Sequence, residues 1–246
     1  ELDTSMALRS TMASFGASIQ NADGQPILKS KQTLEAIKFV KALYQETMTD
    51  QVFTWDASSN NRLMLAGNGS LTVNAISITR TGENQKIPMA DRIWLKKAAA
   101  GPVRRIGLIH LMDVYVIWKF AKNIEGAKKF LIDFVEQSRK IFLESQFYNF
   151  PCYPSTVPDL KKLISHDSKA TPPDKYKIFK DVSEWTTNVG FPGYANAATD
   201  EIFSKWVLSE VFAQAASGKL TPQEALDQGN EKARQIFEKW STNGKI

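Results

Sequence analysis

The stretch Ala215-Ala216-Ser217-Gly218-Lys219-Leu220-Thr221-Pro222-Gln223-Glu224-Ala225-Leu226 decides how the end of the chain is read. Gly218 is the residue type that ends a helix, because glycine enters the left-handed region without a Cβ clash. Thr221, Pro222 and Glu224 then supply, in order, an N-cap, a proline at the first helical position and the glutamate of a capping box. A long helix carrying Phe203, Val207 and Val211 is therefore predicted to stop at Gly218. A second starts at Thr221, with Leu226, Gly229, Ala233, Ile236 and Trp240 on its buried face.

Toward the N-terminus, Pro172 and Pro173 open a helix through Tyr176, Phe179 and Val182, followed by an irregular stretch from Thr186 to Ala195. Three prolines between Phe150 and Pro158 force an extended loop around Cys152 and Tyr153. Asn123 caps a helix whose Ala127, Phe130, Leu131, Phe134 and Val135 recur at helical spacing and are predicted to be core. Arg105 to Ile109 and Val114 to Trp118 are β-branched and aromatic and read as strands, with His110 to Asp113 between them. A short helix over Ser58 to Ala66, stopped by Gly67, leads into an alternating strand from Leu71 to Ala75. Before it, Ser30 caps a helix with Leu34, Ile37, Val40 and Tyr44 on one face, after a turn at Asn21 to Gly24. Helices alternating with short strands predict an α/β fold with the C-terminal helices packed outside.

With 246 residues and 43% hydrophobic content, the chain can build a sizeable core, and no stretch has the composition of a tether. The longest apolar run, Leu108 to Phe120, is broken by His110, Asp113 and Lys119, which argues against membrane insertion. A single cysteine, Cys152, excludes an intramolecular disulfide, and His110 and His166 lack the spacing of a metal motif, so no metal or cofactor is expected. The net charge of +5 is dispersed in pairs such as Lys96-Lys97 and Lys161-Lys162 without interleaved aromatics, which predicts solvated faces and no nucleic-acid partner.

The order of these pieces resembles the family 1 extracellular solute-binding proteins, the carbohydrate receptors of the maltose-binding-protein type. The resemblance rests on Asn21-Ala22-Asp23-Gly24-Gln25-Pro26, Leu65-Ala66-Gly67-Asn68-Gly69-Ser70-Leu71, Gly101-Pro102, Phe120-Ala121-Lys122-Asn123 before Ala127-Lys128-Lys129-Phe130-Leu131, the Phe147 to Pro154 loop, Asn188 to Tyr194 and the stretch from Ala215 to Leu226. It implies a periplasmic binding protein of type II, mostly the C-terminal lobe plus a segment of the N-terminal lobe. Residues 1–110 would open the C-terminal lobe, 114–168 return to the N-terminal lobe and 175–246 complete the C-terminal lobe, with passages near His110 to Asp113 and Lys169 to Asp174. Family members are longer, and what they have in addition is N-terminal, so Glu1 is expected to lie partway through the fold. The resemblance also implies a periplasmic protein that hands a small solute to the membrane permease of an ABC importer.

A sugar offers hydroxyls and a weakly apolar C–H face, so its site needs flat aromatic rings beside groups that both donate and accept hydrogen bonds. Such residues gather in three places: Trp55, Asp56, Asn60, Asn61 and Arg62; Asn74, Ser77, Thr79 and Arg80; and Trp185, Asn188, Tyr194 and Asn196. The candidate ligand-binding set is Trp55, Asp56, Asn74, Ser77, Tyr153, Trp185, Asn188, Tyr194 and Asn196. Ser77 stands where maltose-binding protein offers a stacking tryptophan, which argues against maltodextrins. For Trp55 and Asp56 the competing roles are packing and helix capping. The competing function is a glycoside hydrolase using Asp56 with Glu83 or Asp91, although nothing in their spacing requires a catalytic pair. No nucleophile elbow or phosphate loop is present, and a binding protein without enzymatic activity is expected.

Overall fold

The computed structural model describes residues 2–108, 114–244 and 246. The expected passage at His110 to Asp113, and Ile109 at the end of the expected strand, lie outside the described residues. The elements in order are α1 (Leu2–Ser14), α2 (Lys31–Thr47), a 3-10 turn (Asp50–Thr54), α3 (Ser59–Leu65), α4 (Ser77–Asn84), a second 3-10 turn (Pro88–Arg92) and β1 (Gly107–Leu108). There follow α5 (Ile124–Glu136), α6 (Ser138–Glu144), a third 3-10 turn (Pro154–Thr156), α7 (Leu160–Leu163), a longer 3-10 segment (Lys175–Asp181) and α8 (Val182–Trp185). The chain ends with β2 (Thr186–Thr187), α9 (Ala197–Ser204), α10 (Val207–Ala216) and α11 (Pro222–Thr242). The two strands pair in parallel, Gly107 opposite Thr186 and Leu108 opposite Thr187.

The caps read from the sequence set the helix starts. Ser30 Oγ accepts from Thr33 N, Asn123 Oδ1 from Gly126 N, and Thr221 and Glu224 close a reciprocal capping box. Gly67 and Gly218 both have φ of +77° at the predicted helix ends. The long helix expected before Gly218 is instead two, α9 and α10. Trp206 sits between them with φ of +57°, and a left-handed residue cannot continue a right-handed helix.

Two apolar clusters hold the chain together. In the first, α10 packs against α1, α2 and α11, and α9 lies on α11. Leu8, Met12, Ile37, Ile202, Leu208, Phe212, Leu226 and Phe237 fill the space between them. Each such side chain, fully withdrawn from water, contributes about 1.5–3 kcal/mol. Ala36, Ala215 and Ala225 are wholly buried, and a Cβ built on Gly229 would lie 2.2 Å from Val211 Cγ2, so small residues let α10 and α11 approach closely.

The second cluster joins Ile76, Phe142, Phe147, Val157, Ile164, Ala170 and Tyr176, with Leu95, Phe150 and Phe179 packed against it. A charged knot lies inside it. The Arg80 guanidinium lies 3.7 Å from the centre of the Tyr176 ring while its Nη1 donates to Glu83 (2.9 Å) and Asp167 (2.6 Å). Lys175 Nζ reaches Glu83 (3.3 Å) and the Ala90 carbonyl (2.8 Å), and Tyr176 Oη donates to Glu83 (2.9 Å). Burial pushes the Tyr176 phenol above its usual range, so it stays a donor.

Several expectations change here. Leu71 to Ala75 and Val114 to Trp118 have strand composition but pair with nothing among the described residues, and Leu71, Val73, Val114 and Val116 face solvent. A strand is defined by its partner, and residue propensity alone cannot supply one. The stripe on α5 is not core, since no residue of α5 is buried. Ile76 and Leu95, from the part assigned to the first C-terminal-lobe segment, pack with Phe142 and Ile164, from the part assigned to the N-terminal lobe. Ile164 before the expected passage at Lys169 to Asp174, Ala170 within it, and Tyr176 and Phe179 after it belong to that same cluster.

Two predictions test the first cluster. Gly229→Ala would normally gain about 1 kcal/mol of helix propensity; against the stiff Val211 side chain it is expected instead to destabilise by about 1–2 kcal/mol, with Val211→Ala relieving the clash in the double variant. Urea denaturation of the set measures this, and a more stable Gly229→Ala single variant would place the two helices further apart. The second concerns Glu201, whose side chain is 10% exposed and accepts from Lys205 (2.8 Å), Lys239 (2.7 Å) and the Trp240 indole (2.6 Å). Those partners, Lys205 first and Lys239 next, lower its carboxyl from an ordinary 4.5 to about 2. Because the folded value is the lower one, this stabilisation is full above the ordinary value and is lost as pH falls toward the folded one. Glu201→Gln is expected to flatten the acid limb of the melting curve in that window; an unchanged limb would mean that the ion pairs contribute nothing.

Candidate functional site

Trp55 follows the 3-10 turn Asp50–Thr54, whose Phe53 packs on Tyr44 of α2 with ring centres 5.1 Å apart. This turn and α3 enclose an open groove of about 460 Å³ lined by Gln51, Trp55, Ser59, Arg62, Leu63 and Asn68, among others. At its edge Asp56 accepts from the Ser58 amide (2.9 Å) and from Arg62 Nη2 at both oxygens (3.1 and 3.0 Å). The Arg62 guanidinium, followed by the Ser58 amide, holds the Asp56 carboxyl well below the usual carboxylate range. The groove thus offers an indole, the Arg62 guanidinium and side-chain amides, a mixture suited to a neutral polyhydroxyl ligand.

The second cluster of candidates meets α3 through Asn61. Its Nδ2 donates to Ser77 Oγ (3.2 Å) and its Oδ1 accepts from Asn74 (2.6 Å), while neighbouring Asn60 donates to Asp3 of α1 (3.1 Å). Asn61 is the hub joining candidates Asn74 and Ser77, and nothing in its sequence context sets it apart from its neighbours. Thr79 and Arg80 point the other way, into the second core. Glu83 is likewise inside that knot, whereas Asp56 is exposed and paired with Arg62, so the two are held in different surroundings by different partners.

The third cluster is organised by a residue that sequence reasoning missed. Gln20, wholly buried, donates from Nε2 to the carbonyls of Gly190 (2.7 Å) and Tyr194 (2.8 Å) and accepts at Oε1 from Asn196 Nδ2 (2.7 Å). Ser18 Oγ donates to Phe191 O (2.6 Å), and Arg9, also buried, donates to Val189 O (2.8 Å) and Thr199 O (3.2 Å). Burial lowers the Arg9 guanidinium to about 10, with Asp200 acting in the opposite sense. Gly190 and Gly193 are required because a Cβ would fall 2.4 Å from backbone atoms of Tyr194 and Ala195 and 2.8 Å from Asn21 O. The backbone so fixed leaves the Tyr194 side chain out in solvent at 89% exposure.

The remaining candidates lie in varied surroundings. Asn196 caps α9, its Oδ1 accepting from Thr199 N (2.9 Å) while its Nδ2 serves Gln20, so both ends of its amide hold the fold. Asn188 Oδ1 accepts from Gly190 N (2.7 Å). Trp185 donates to Asp181 (3.3 Å) and packs near Phe179, with ring centres 6.5 Å apart. Tyr153 is exposed on the proline-rich loop. Of the nine candidates, only Trp55 lines the α3 groove, and none lines a second concavity of about 580 Å³ between α5 and α6.

No protein-family model matches the chain, and no curated protein matches its sequence. Solved structures do match in shape. A sugar transporter protein from Arthrobacter chlorophenolicus A6 with bound laminaribiose overlays 95% of this chain and 57% of its own, with a TM-score of 0.77 at 14% identity. The fold is that of the periplasmic binding proteins. A Synechococcus sp. MITs9220 protein assigned as an oligosaccharide periplasmic-binding protein gives a TM-score of 0.71 at 12% identity, over 95% of this chain and 58% of its own. Maltose-bound MalE3 of T. maritima gives 0.70 at 16% identity, over 94% and 57%. The chain therefore spans somewhat more than half the length of these neighbours, as expected for one lobe with part of another. Among the described residues no helix is long and apolar enough to cross a membrane, and no three His, Cys, Asp or Glu side chains gather as metal ligands would.

Gln20→Ala removes two donated bonds and one accepted bond from a buried site, which is expected to cost about 2–3 kcal/mol. It should also raise amide exchange across residues 188–196 while leaving α2 protected. Unchanged exchange there would show that the glycines alone hold the loop.

Proposed function

We propose that the chain is part of a family 1 extracellular solute-binding receptor. It captures a carbohydrate between two lobes in the periplasm and delivers it to the membrane permease of an ABC importer. The observation that carries this reading is the overlay of 95% of the chain on a laminaribiose-bound sugar transporter protein. Maltose on a second neighbour points to the same ligand class. The site chemistry agrees: Trp55 offers an apolar face for a sugar ring, Asn61, Asn74 and Ser77 form a hydroxyl-like network beside α3, and Tyr194 projects from a rigid loop. The lobes are read as the two apolar clusters, and the chain as the later part of a longer receptor. Binding would favour the shut form because only there does the solute touch both lobes. The matched neighbours are binding proteins, and the protein is read as having no catalytic role.

Calorimetry with laminaribiose and with maltose tests the reading on the protein extended to its natural N-terminus. Trp55→Ala and Tyr194→Ala are each expected to weaken binding about 5–10-fold, roughly the 1–1.4 kcal/mol of one lost ring contact. Affinity unchanged in both variants would move the site elsewhere. The 246-residue chain alone is expected to bind weakly, since contacts from a second lobe carry much of the burial of a closed cleft; tight binding by it would refute the two-lobe mechanism.

A further inference from the structure

The chain holds two Asn-Gly pairs, Asn68-Gly69 and Asn243-Gly244. In such a pair the glycine nitrogen can attack the asparagine amide carbon, because no Cβ shields it and glycine reaches the backbone conformations that ring closure needs. Two conditions decide whether a folded chain permits this. The attacking N–H must be free of a hydrogen bond, and the asparagine side chain must be free to turn onto it.

The first pair meets both. Gly67, with φ of +77°, ends α3, and the Asn68 amide bonds back to Leu63 O (3.1 Å). The next amide, that of Gly69, has no backbone acceptor among the described residues, and Asn68 is exposed. Its side chain makes no hydrogen bond among the described residues, unlike those of Asn60, Asn61 and Asn74 nearby. In the second pair the Gly244 amide donates to Ser241 O (2.9 Å) at the end of α11, which withdraws the nucleophile. Packing also favours glycine at 69, since a Cβ there would lie 2.8 Å from Met64 Sδ and 3.2 Å from Leu63 Cδ2.

Asn68 lines the groove beside Trp55, and Arg62 is the one charged residue among those lining it. We propose that Asn68 is a site of spontaneous deamidation that changes the charge of this groove. The Gly69 nitrogen forms a bond to Asn68 Cγ and gives up its proton, the Cγ–Nδ2 bond breaks, and ammonia leaves a five-membered succinimide. Water then opens the ring. Cleavage at Cγ gives an aspartyl residue, and cleavage at the main-chain carbonyl gives an isoaspartyl residue that lengthens the backbone by one methylene ahead of Asn74. Either product adds a carboxylate to a lining whose existing charge is the Arg62 guanidinium. The reaction needs only water, and it proceeds whether or not the groove holds a sugar.

Ageing the 246-residue chain at mildly alkaline pH, native and in guanidinium chloride, tests this by peptide mass spectrometry. The Asn68 peptide is expected to exchange NH2 for OH, as two isomers separable by chromatography. Its native rate should lie within about tenfold of its rate in denaturant, where local sequence alone acts, and should rise with pH because the attacking nitrogen loses its proton. The native-to-denatured ratio is expected to be higher at Asn68 than at Asn243. Asn68→Gln, which would have to close a larger ring, should abolish the mass gain in that peptide. A native rate at Asn68 slowed by more than that factor, or a lower ratio than at Asn243, would overturn the proposal. So would a glycan on Asn68 in protein from its natural host, since Asn68-Gly69-Ser70 is also the acceptor pattern for one and the sugar would occupy Nδ2.

Discussion

The close approach of α10 and α11 at Gly229 and Val211 sets the geometry on which the first cluster depends. Because these helices nearly touch backbone to side chain, Phe212, Leu226 and Phe237 reach through to α1 and α2 and close a core from segments at opposite ends of the chain. That closure brings residues 9–20 against 189–199, and long-range bonds from Arg9, Ser18 and Gln20 can then form. The rigid loop presenting Tyr194 is thus a consequence of helix packing some distance away. Its glycines permit the path, but the buried amide of Gln20 selects it, since an unpaired amide there would cost more than the loop conformation itself.

The second cluster is held differently. Its aromatic series runs from Phe142 through Phe147, Tyr176 and Phe179 to Trp185, each successive pair of ring centres between 5.0 and 6.5 Å apart. Arg80 lies over two of these rings and binds two carboxylates. A buried ion pair surrenders much of its attraction to desolvation, so this knot adds modestly to stability, whereas removing one member strands the others. Its physical effect is to fix α4 relative to the 3-10 segment Lys175–Asp181. From Trp185 the chain passes directly into β2, which pairs with β1, so this aromatic series also positions the strand pair.

What the sequence disclosed follows the range of each interaction. Caps at Ser30, Asn123 and Thr221 and the stops at Gly67 and Gly218 act over three or four residues, and all were legible. Trp206 was not, because its left-handed turn follows from the packing of α9 and α10 and has no glycine to announce it. Gln20 and Asn61 were not either, since their partners lie up to 176 residues away in the first case and across a turn in the second. Helix capping was an alternative for Asp56 or Ser58, and Ser58 stands at the N-cap of α3 without a side-chain cap bond while Asp56 bonds to Ser58, Ser59 and Arg62. On α5 the periodic stripe gave the helix correctly, but periodicity says only that one face is apolar and not what covers it.

That distinction bears on the candidate site. A groove with openings as wide as the one beside Trp55 cannot by itself withdraw a sugar from water, and hydroxyls left solvated gain little from meeting a protein hydrogen bond. Asn61, Asn74 and Ser77 already satisfy one another, so a ligand would have to replace bonds as good as those it makes. Affinity at such a surface must come from a second wall that excludes water, strengthening each polar contact and adding apolar area on the opposite face of the ring. The face of α5 is open in the same way, with Phe130 and Ile132 exposed and no residue of the helix buried. The open groove therefore poses one physical demand, a facing surface that excludes water from the ring it holds.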